Sequence, residues 1–257
     1  MVLLVALLSA AFAHSASAAV ASTFTAPAPA PTSQSPFYVG SSNGTIQNSP
    51  LVSGQVFDRF IQIWLENTDF SSAQSQTVFQ ELSKLGITLN QYYALTHTSE
   101  PNYIAAVGGD FWGLYNDDFE QIPANMSTVV DLLDEKLISW SEYQENMPED
   151  GYTGYNYTNP QDGYTYYVRK HNPLIIYNSV SQNSTRAARI RNFNDFAVDL
   201  GNNSLSQWVF VTPNIRDDGH DTDVAYASEW LNWWLMPLLN DTNFNTERTL
   251  ILLTFDE

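Results

Sequence analysis

The chain of 257 residues contains no cysteine. That excludes disulfides, thiolate metal sites and cysteine nucleophiles, so stability must rest on a packed core of ordinary domain size. Cationic side chains are also scarce, with 10 Lys and Arg against 28 Asp and Glu and a formal net charge of −18. Nucleic acids and anionic membranes are held by basic patches, and this balance argues against both. Long apolar runs are missing as well. The opening stretch, residues 1–13, is too short to span a bilayer, and no later segment is long enough, so stable membrane insertion is not expected.

That opening stretch, followed by small residues, predicts a secretory signal peptide over residues 1–18, cleaved after Ala13 or Ala18. Residues 19–56 begin rich in Ala, Pro, Ser and Thr, with the alternation Ala26-Pro27-Ala28-Pro29-Ala30-Pro31, and read as a leader or linker that cannot form a core. Sequons at Asn43, Asn125, Asn156, Asn183, Asn202 and Asn240 suit a glycoprotein that is secreted or held in a cell wall. Residues 57–257 have the size and the apolar and aromatic content of one α/β domain.

Three apolar runs in that domain end in clusters of carboxylates or carboxamides. Residues 60–65 lead into Glu66-Asn67, residues 208–212 into Asn214 and then Asp217-Asp218-Gly219-His220-Asp221, and residues 250–255 into Asp256-Glu257. Runs of this length predict buried strands, and their alternation with helical segments predicts a parallel α/β sheet. Ligands bind outside the carboxyl ends of such strands, so the clusters are expected to converge. Hard oxygen donors with one or two imidazoles imply a divalent cation and an anionic substrate. Bound cations, or an acidic working pH, would reconcile an anionic substrate with the acidic chain.

Between the strands, helices are predicted over 72–85 with Gly86 as C-cap, over 99–107, from Ser127 or Thr128 to Lys136 with Val129, Leu132 and Leu133 buried, and around 185–200 and 225–239. Residues 87–89, 138–140 and 174–177 read as strands. Residues 143–167, aromatic and without period, read as a long loop beside the site. Ser99 occupies the expected N-cap ahead of Pro101, where free N–H groups attract anions. It is the candidate nucleophile, with metal activation favoured over the adjacent His97. His171 is a candidate proton donor to a leaving oxygen, and His220, oriented by a neighbouring Asp, a candidate metal or phosphate partner. The 217–223 run is no EF-hand, since position 12 is Ser228. The chain stops on Asp256-Glu257 directly after a strand, which reads as a fragment of a longer protein.

Five motifs in order, around Glu66-Asn67, Thr96-His97-Thr98-Ser99-Glu100-Pro101-Asn102, Arg169-Lys170-His171-Asn172-Pro173, Asp218-Gly219-His220-Asp221 and Asp256-Glu257, resemble those of secreted fungal acid phosphatases. These belong to the phosphoesterase family that includes bacterial phospholipases C, within the alkaline-phosphatase-like superfamily. The resemblance implies a doubly wound, mostly parallel α/β sheet flanked by helices, and metal-assisted hydrolysis of small phosphate esters through a phosphoserine at Ser99. Glu66, Asn67, Ser99, Asp256 and Glu257 would hold the metal, and Asn102, Asn172 and Asp221 would line the substrate side with His171 and His220. Alternatives are a phospholipase C or phosphodiesterase using the same residues, a glycoside hydrolase, and a non-catalytic secreted glycoprotein.

Overall fold

A computed structural model describes the backbone of Val2–Ala6, residues 40, 41 and 44, and residues 46–257. The rest of the expected signal region, the Pro/Ala stretch and the sequon at Asn43 lie outside the described residues. Among those described, no helix is long and apolar enough to cross a membrane.

The main sheet is built from β1 (Val2–Ala6), β2 (Arg59–Leu65), β3 (Ile87–Leu89), β4 (Trp140–Gln144), β7 (Ile190–Asn192), β8 (Trp208–Thr212) and β9 (Thr249–Phe255). The intervening β5 (Asn156–Thr158) and β6 (Thr165–Val168) form a separate hairpin. Strand order is β3-β1-β9-β2-β8-β4-β7. The five strands from β9 to β7 run parallel, while β1 lies antiparallel between β3 and β9.

Helices cover both faces, which is why the central strands read as continuous apolar runs. In β2, Ile61, Ile63 and Leu65 join Val209 and Val211 of β8 on one face. There they pack under α2 (Thr77–Leu85), α8 (Phe193–Gly201) and α9 (Val224–Leu238). Trp64, Trp208 and Phe210 point to the other face, under α3 (Ser99–Gly108), α4 (Val129–Glu135), α5 (Pro173–Ile176) and α6 (Asn178–Ser181). After β2 the chain goes to the β9 side of the sheet and then crosses to β4 on the β8 side. The carboxyl end of β2 is therefore a switch point, where the crossing connections leave a crevice.

Several expectations need correcting. The helix over 72–85 is two helices, α1 (Phe70–Ser75) and α2, because Gln76 is extended at φ −83° and ψ 136°. Gly86 does follow α2, in extended rather than left-handed backbone. In α4 the buried residue is Val130, whereas Leu132 is exposed. The strand over 174–177 is instead α5, because Asn172 caps it by accepting from the Ile175 N–H at 3.2 Å and Pro173 supplies a pre-set first turn. The strand over 138–140 begins only at Trp140, and the segment around 185–200 divides into α7 (Ser184–Ala187), β7 and α8. Tyr143 and Gln144 belong to β4, and the β5–β6 hairpin lies within the stretch read as loop.

The described residues within 40–52, which composition places in a leader, are strapped to the domain. Asn194 Nδ2 donates to the Gly40 carbonyl at 2.8 Å, Asn192 Nδ2 to Ser41 at 2.6 Å and Arg189 Nη2 to Gln47 at 2.9 Å. Asn48 Nδ2 donates to Ser204 at 2.7 Å, and the Gln207 amide exchanges two 2.8 Å bonds with Val52. Arg191, completely buried between Asp195 and Asp199 at 2.9 Å each, anchors the wall they lie on.

Candidate active site

The ends of β2, β8 and β9 bring Glu66, Asp218 and Asp256 together beneath the start of α3. The backbone closes the arrangement, with the Glu66 N–H donating to the Asp218 carbonyl at 2.9 Å and the Asp256 N–H to Leu65 at 3.0 Å. Glu66 is buried, accepting from Ser99 Oγ at 3.2 Å through Oε2 and from Tyr103 Oη at 2.9 Å through Oε1. His171, also buried, stacks on Tyr103 with centroids 5.1 Å apart. Its Nε2 lies 3.1 Å from Glu66 Oε1 and its Nδ1 3.2 Å from Asp218 Oδ2, without an aligned hydrogen bond at either nitrogen.

Ser99 is the first residue of α3, and the N-cap is Thr98 rather than Ser99. The anion-binding capacity of this helix end is also smaller than expected. Asp117 Oδ1 takes the Glu100 N–H at 3.0 Å, and Pro101 has none to offer.

Burial and mutual repulsion govern the charges. Burial, then the neighbouring Asp256 and Asp218, raise the Glu66 carboxyl well above the usual range. Burial pushes Asp256 up to about 7 and raises Asp218 well above its ordinary value. Burial, with Lys170 and His220 nearby, lowers the proton affinity of His171 well below that of a free imidazole. Asp218 Oδ2 and Asp256 Oδ2 are buried with no hydrogen-bond partner. Crowded, desolvated carboxylates and a neutral imidazole, all with unused lone pairs, are a donor set suited to a divalent cation. Glu66, His171 and His220 each place one ligand atom within 4.8 Å of the other two.

The other predicted residues are arranged around this centre. Asn67 and Glu257 meet at the rim, Asn67 Nδ2 donating to Glu257 Oε1 at 2.9 Å, and Glu257 Oε2 also contacts His97. His220, partly exposed, has Nδ1 2.8 Å from Asp221 Oδ1 and Nε2 3.0 Å from Lys170 Nζ. Asp221 also accepts from Tyr164 Oη at 2.6 Å, which ties the β5–β6 hairpin region to the site. Asn102 and Asn172 are buried and committed to the scaffold. Asn102 accepts from the Leu95 and Thr96 N–H groups at 3.0 and 3.2 Å, and Asn172 Nδ2 donates to Tyr167 Oη at 2.9 Å.

Sequence reasoning assigned no role to Asp218, Tyr103, Asp117 or Lys170. Asp218 sat in a run that reads equally well as a solvated turn, although its place after a buried strand was a usable signal. A fourth strand end was also passed over. After β4, Glu145 Oε2 accepts from the Asn214 N–H at 3.0 Å, and Asn214 Nδ2 donates to Asp217 Oδ2 at 2.8 Å.

Residues 40–257 match the phosphoesterase family. An acid phosphatase of Aspergillus fumigatus is 53% identical over 206 residues, which cover 80% of this chain and 46% of that protein. The phosphate-repressible acid phosphatase of Penicillium chrysogenum is 50% identical over 206 residues, 80% of this chain and 49% of its own. A phosphatidylinositol-3-phosphatase of Mycobacterium tuberculosis is 28% identical over 187 residues, 72% of this chain and 57% of its own. The chain spans about half the length of the fungal relatives it matches.

Proposed function

Because the chain belongs to the phosphoesterase family, we propose that it carries the catalytic centre of a metal-dependent acid phosphatase acting on phosphate monoesters through a phosphoserine. The observation that carries this reading is a buried serine hydroxyl at the start of α3, bonded to a carboxylate whose neighbours need a cation. Fungal relatives described as acid phosphatases support the substrate class.

Glu66, Asp218, Asp256 and Ser99 Oγ would hold the cation, with His171 beside them and Asn67 and Glu257 at the rim. When bound, it would neutralise charge developing on the phosphoryl and attacking oxygens, a contribution of several kcal/mol. Ser99 Oγ passes its proton to Glu66 Oε2, the oxygen it already donates to, and attacks phosphorus in line as the ester oxygen departs. His220, oriented by Asp221, gives that oxygen its proton. A water then attacks the phosphoserine and gives a proton to His220, while Glu66 returns the first proton to Ser99 Oγ as inorganic phosphate is released. His171, kept neutral by its surroundings, offers a lone pair to the centre.

A secreted glycoprotein accords with the surface, since the sequon asparagines 125, 156, 183, 202 and 240 are all exposed. Hydrolysis of p-nitrophenyl phosphate across about pH 4 to 9, with and without chelator, tests the assignment. Ser99→Ala should lower turnover by at least about 10³-fold while folding and metal content persist. Full turnover in that variant would remove Ser99 as nucleophile, and chelator-insensitive turnover would remove the metal.

A further inference from the structure

Inorganic phosphate and phosphate monoesters are multiply charged, yet the centre described above is crowded with carboxylates. The usual alternative source of positive potential, the amide groups at the start of α3, is reduced by Asp117 and Pro101. The basic side chain placed to compensate is Lys170. Its ammonium lies 3.0 Å from Asp117 Oδ2 and 3.0 Å from His220 Nε2, and its side chain is only 16% exposed. An ammonium has three N–H groups, so these two contacts leave one to donate.

Arg169, its neighbour, is spent on the scaffold, donating to the carbonyls of Ile175 at 3.0 Å and Glu120 at 3.3 Å. Arg216 lies over the rings of Tyr164 and Tyr226 at 5.4 and 5.5 Å. Asp117 is fixed in turn: besides Lys170 it accepts from Thr98 Oγ1 at 2.5 Å and from the Glu100 N–H at 3.0 Å. One carboxylate therefore holds the start of the nucleophile helix and the ammonium in a constant relation.

We propose that Lys170 is the phosphoryl anchor of this site and that Asp117 is its positioning residue; the assignment rests on the phosphatase reading. Lys170 donates its remaining N–H to a non-bridging phosphoryl oxygen. The N–H that now faces His220 Nε2 also turns to the incoming anion, which frees that nitrogen to take up a proton from solvent and present it to the leaving oxygen. The class of ligand this favours is an anionic phosphate ester or inorganic phosphate. A neutral ester gains nothing from the ammonium.

The test uses the full chain and inorganic phosphate as the probe. Phosphate affinity is measured by calorimetry, together with KM and kcat for p-nitrophenyl phosphate, metal content and melting temperature, in wild type, Lys170→Met, Lys170→Arg and Asp117→Asn. Lys170→Met should weaken phosphate binding and raise KM by roughly 10- to 100-fold, the loss of one charge-assisted hydrogen bond, with metal content and melting unchanged. Lys170→Arg should recover most of the affinity, and Asp117→Asn should lose only several-fold. Phosphate affinity within twofold of wild type in a folded Lys170→Met or Asp117→Asn protein, or none gained back by arginine, would overturn the assignment while leaving the phosphatase reading intact. Lysine-dependent phosphate binding without hydrolysis would do the reverse. A wild-type chain that binds no phosphate would overturn both.

Discussion

Glu142→Gln should remove the pH dependence of stability that this one residue imposes. Glu142 is completely buried in β4, accepting from Gln144 Nε2 at 2.7 Å and from the Leu174 N–H at 3.3 Å. No cationic partner offsets its burial, which lifts its carboxyl from 4.5 to about 8. Because the folded value is raised, the stabilising contribution is complete below about pH 4.5 and is lost as pH rises through about 8. At about 1.4 kcal/mol per unit, the full loss is about 5 kcal/mol, of which about 2 kcal/mol has gone by pH 6. Glutamine cannot ionise, but its NH₂ faces the Leu174 N–H, so the variant starts about 1 kcal/mol lower in acid. The two stability curves should cross between about pH 5 and 6, leaving the variant about 3 kcal/mol ahead at pH 8. Urea unfolding at pH 4, 6 and 8 measures this, and the difference from wild type isolates Glu142 from other buried carboxyls, such as Glu100 and Asp150, both raised to about 8. A gap between the curves that stays constant with pH would refute the reasoning.

Asp218→Asn should lower metal affinity by about 10- to 100-fold yet raise the melting temperature of metal-free protein at neutral pH, because a repelling buried charge is removed beside Glu66; isotope-dilution metal analysis and thermal scans read the two effects, and an unchanged affinity would exclude Asp218 from the centre. Trp234→Ala should cost about 3–5 kcal/mol in urea, since Trp234 is buried against Trp230, Phe196 and Phe193 at centroid distances of 4.9, 5.1 and 5.5 Å; a loss below about 1 kcal/mol would contradict that packing. Gly108→Ala should destabilise by about 1–3 kcal/mol despite the better helix propensity of alanine. The new Cβ would meet Tyr177 Oη at 1.9 Å, and that hydroxyl is held by the Ile104 carbonyl and Trp112 Nε1 at 3.1 and 3.0 Å; a variant more stable than wild type in the same urea assay would show that the hydroxyl yields freely.

Elements whose physics is local and repetitive were legible in the sequence. Strands β2, β8 and β9 are apolar because both faces are covered, and their polar ends marked the switch-point crevice before any contact was known. Residues 174–177 misled because a short run of leucine and isoleucine has no distinguishing period, although Asn172-Pro173 already carried the capping chemistry that makes them helical. The break at Gln76 left no mark, since Val78 and Leu82 keep a helical spacing on either reading. Pairings such as Lys170 with Asp117, or Asp218 with His171, join residues far apart in the chain, and only the folded topology can supply them. Glu142 and Gln144, buried inside β4, were missed for a related reason: the Leu174 N–H, the His171 carbonyl and the Thr212 hydroxyl that bond them are distant in the chain.

The strap formed by the described residues within 40–52 moves the edge of the folding unit. A composition-based boundary at residue 57 would cut away backbone that occupies side-chain donors on Arg189, Asn192, Asn194 and Gln207, together with the Asn48 amide that satisfies the Ser204 carbonyl. Deprived of those carbonyls, the donors would turn to water or to the backbone of another molecule. A protein shortened to residue 57 would then expose a ready-made receptor for extended peptide, and self-association at high concentration would be its natural failure.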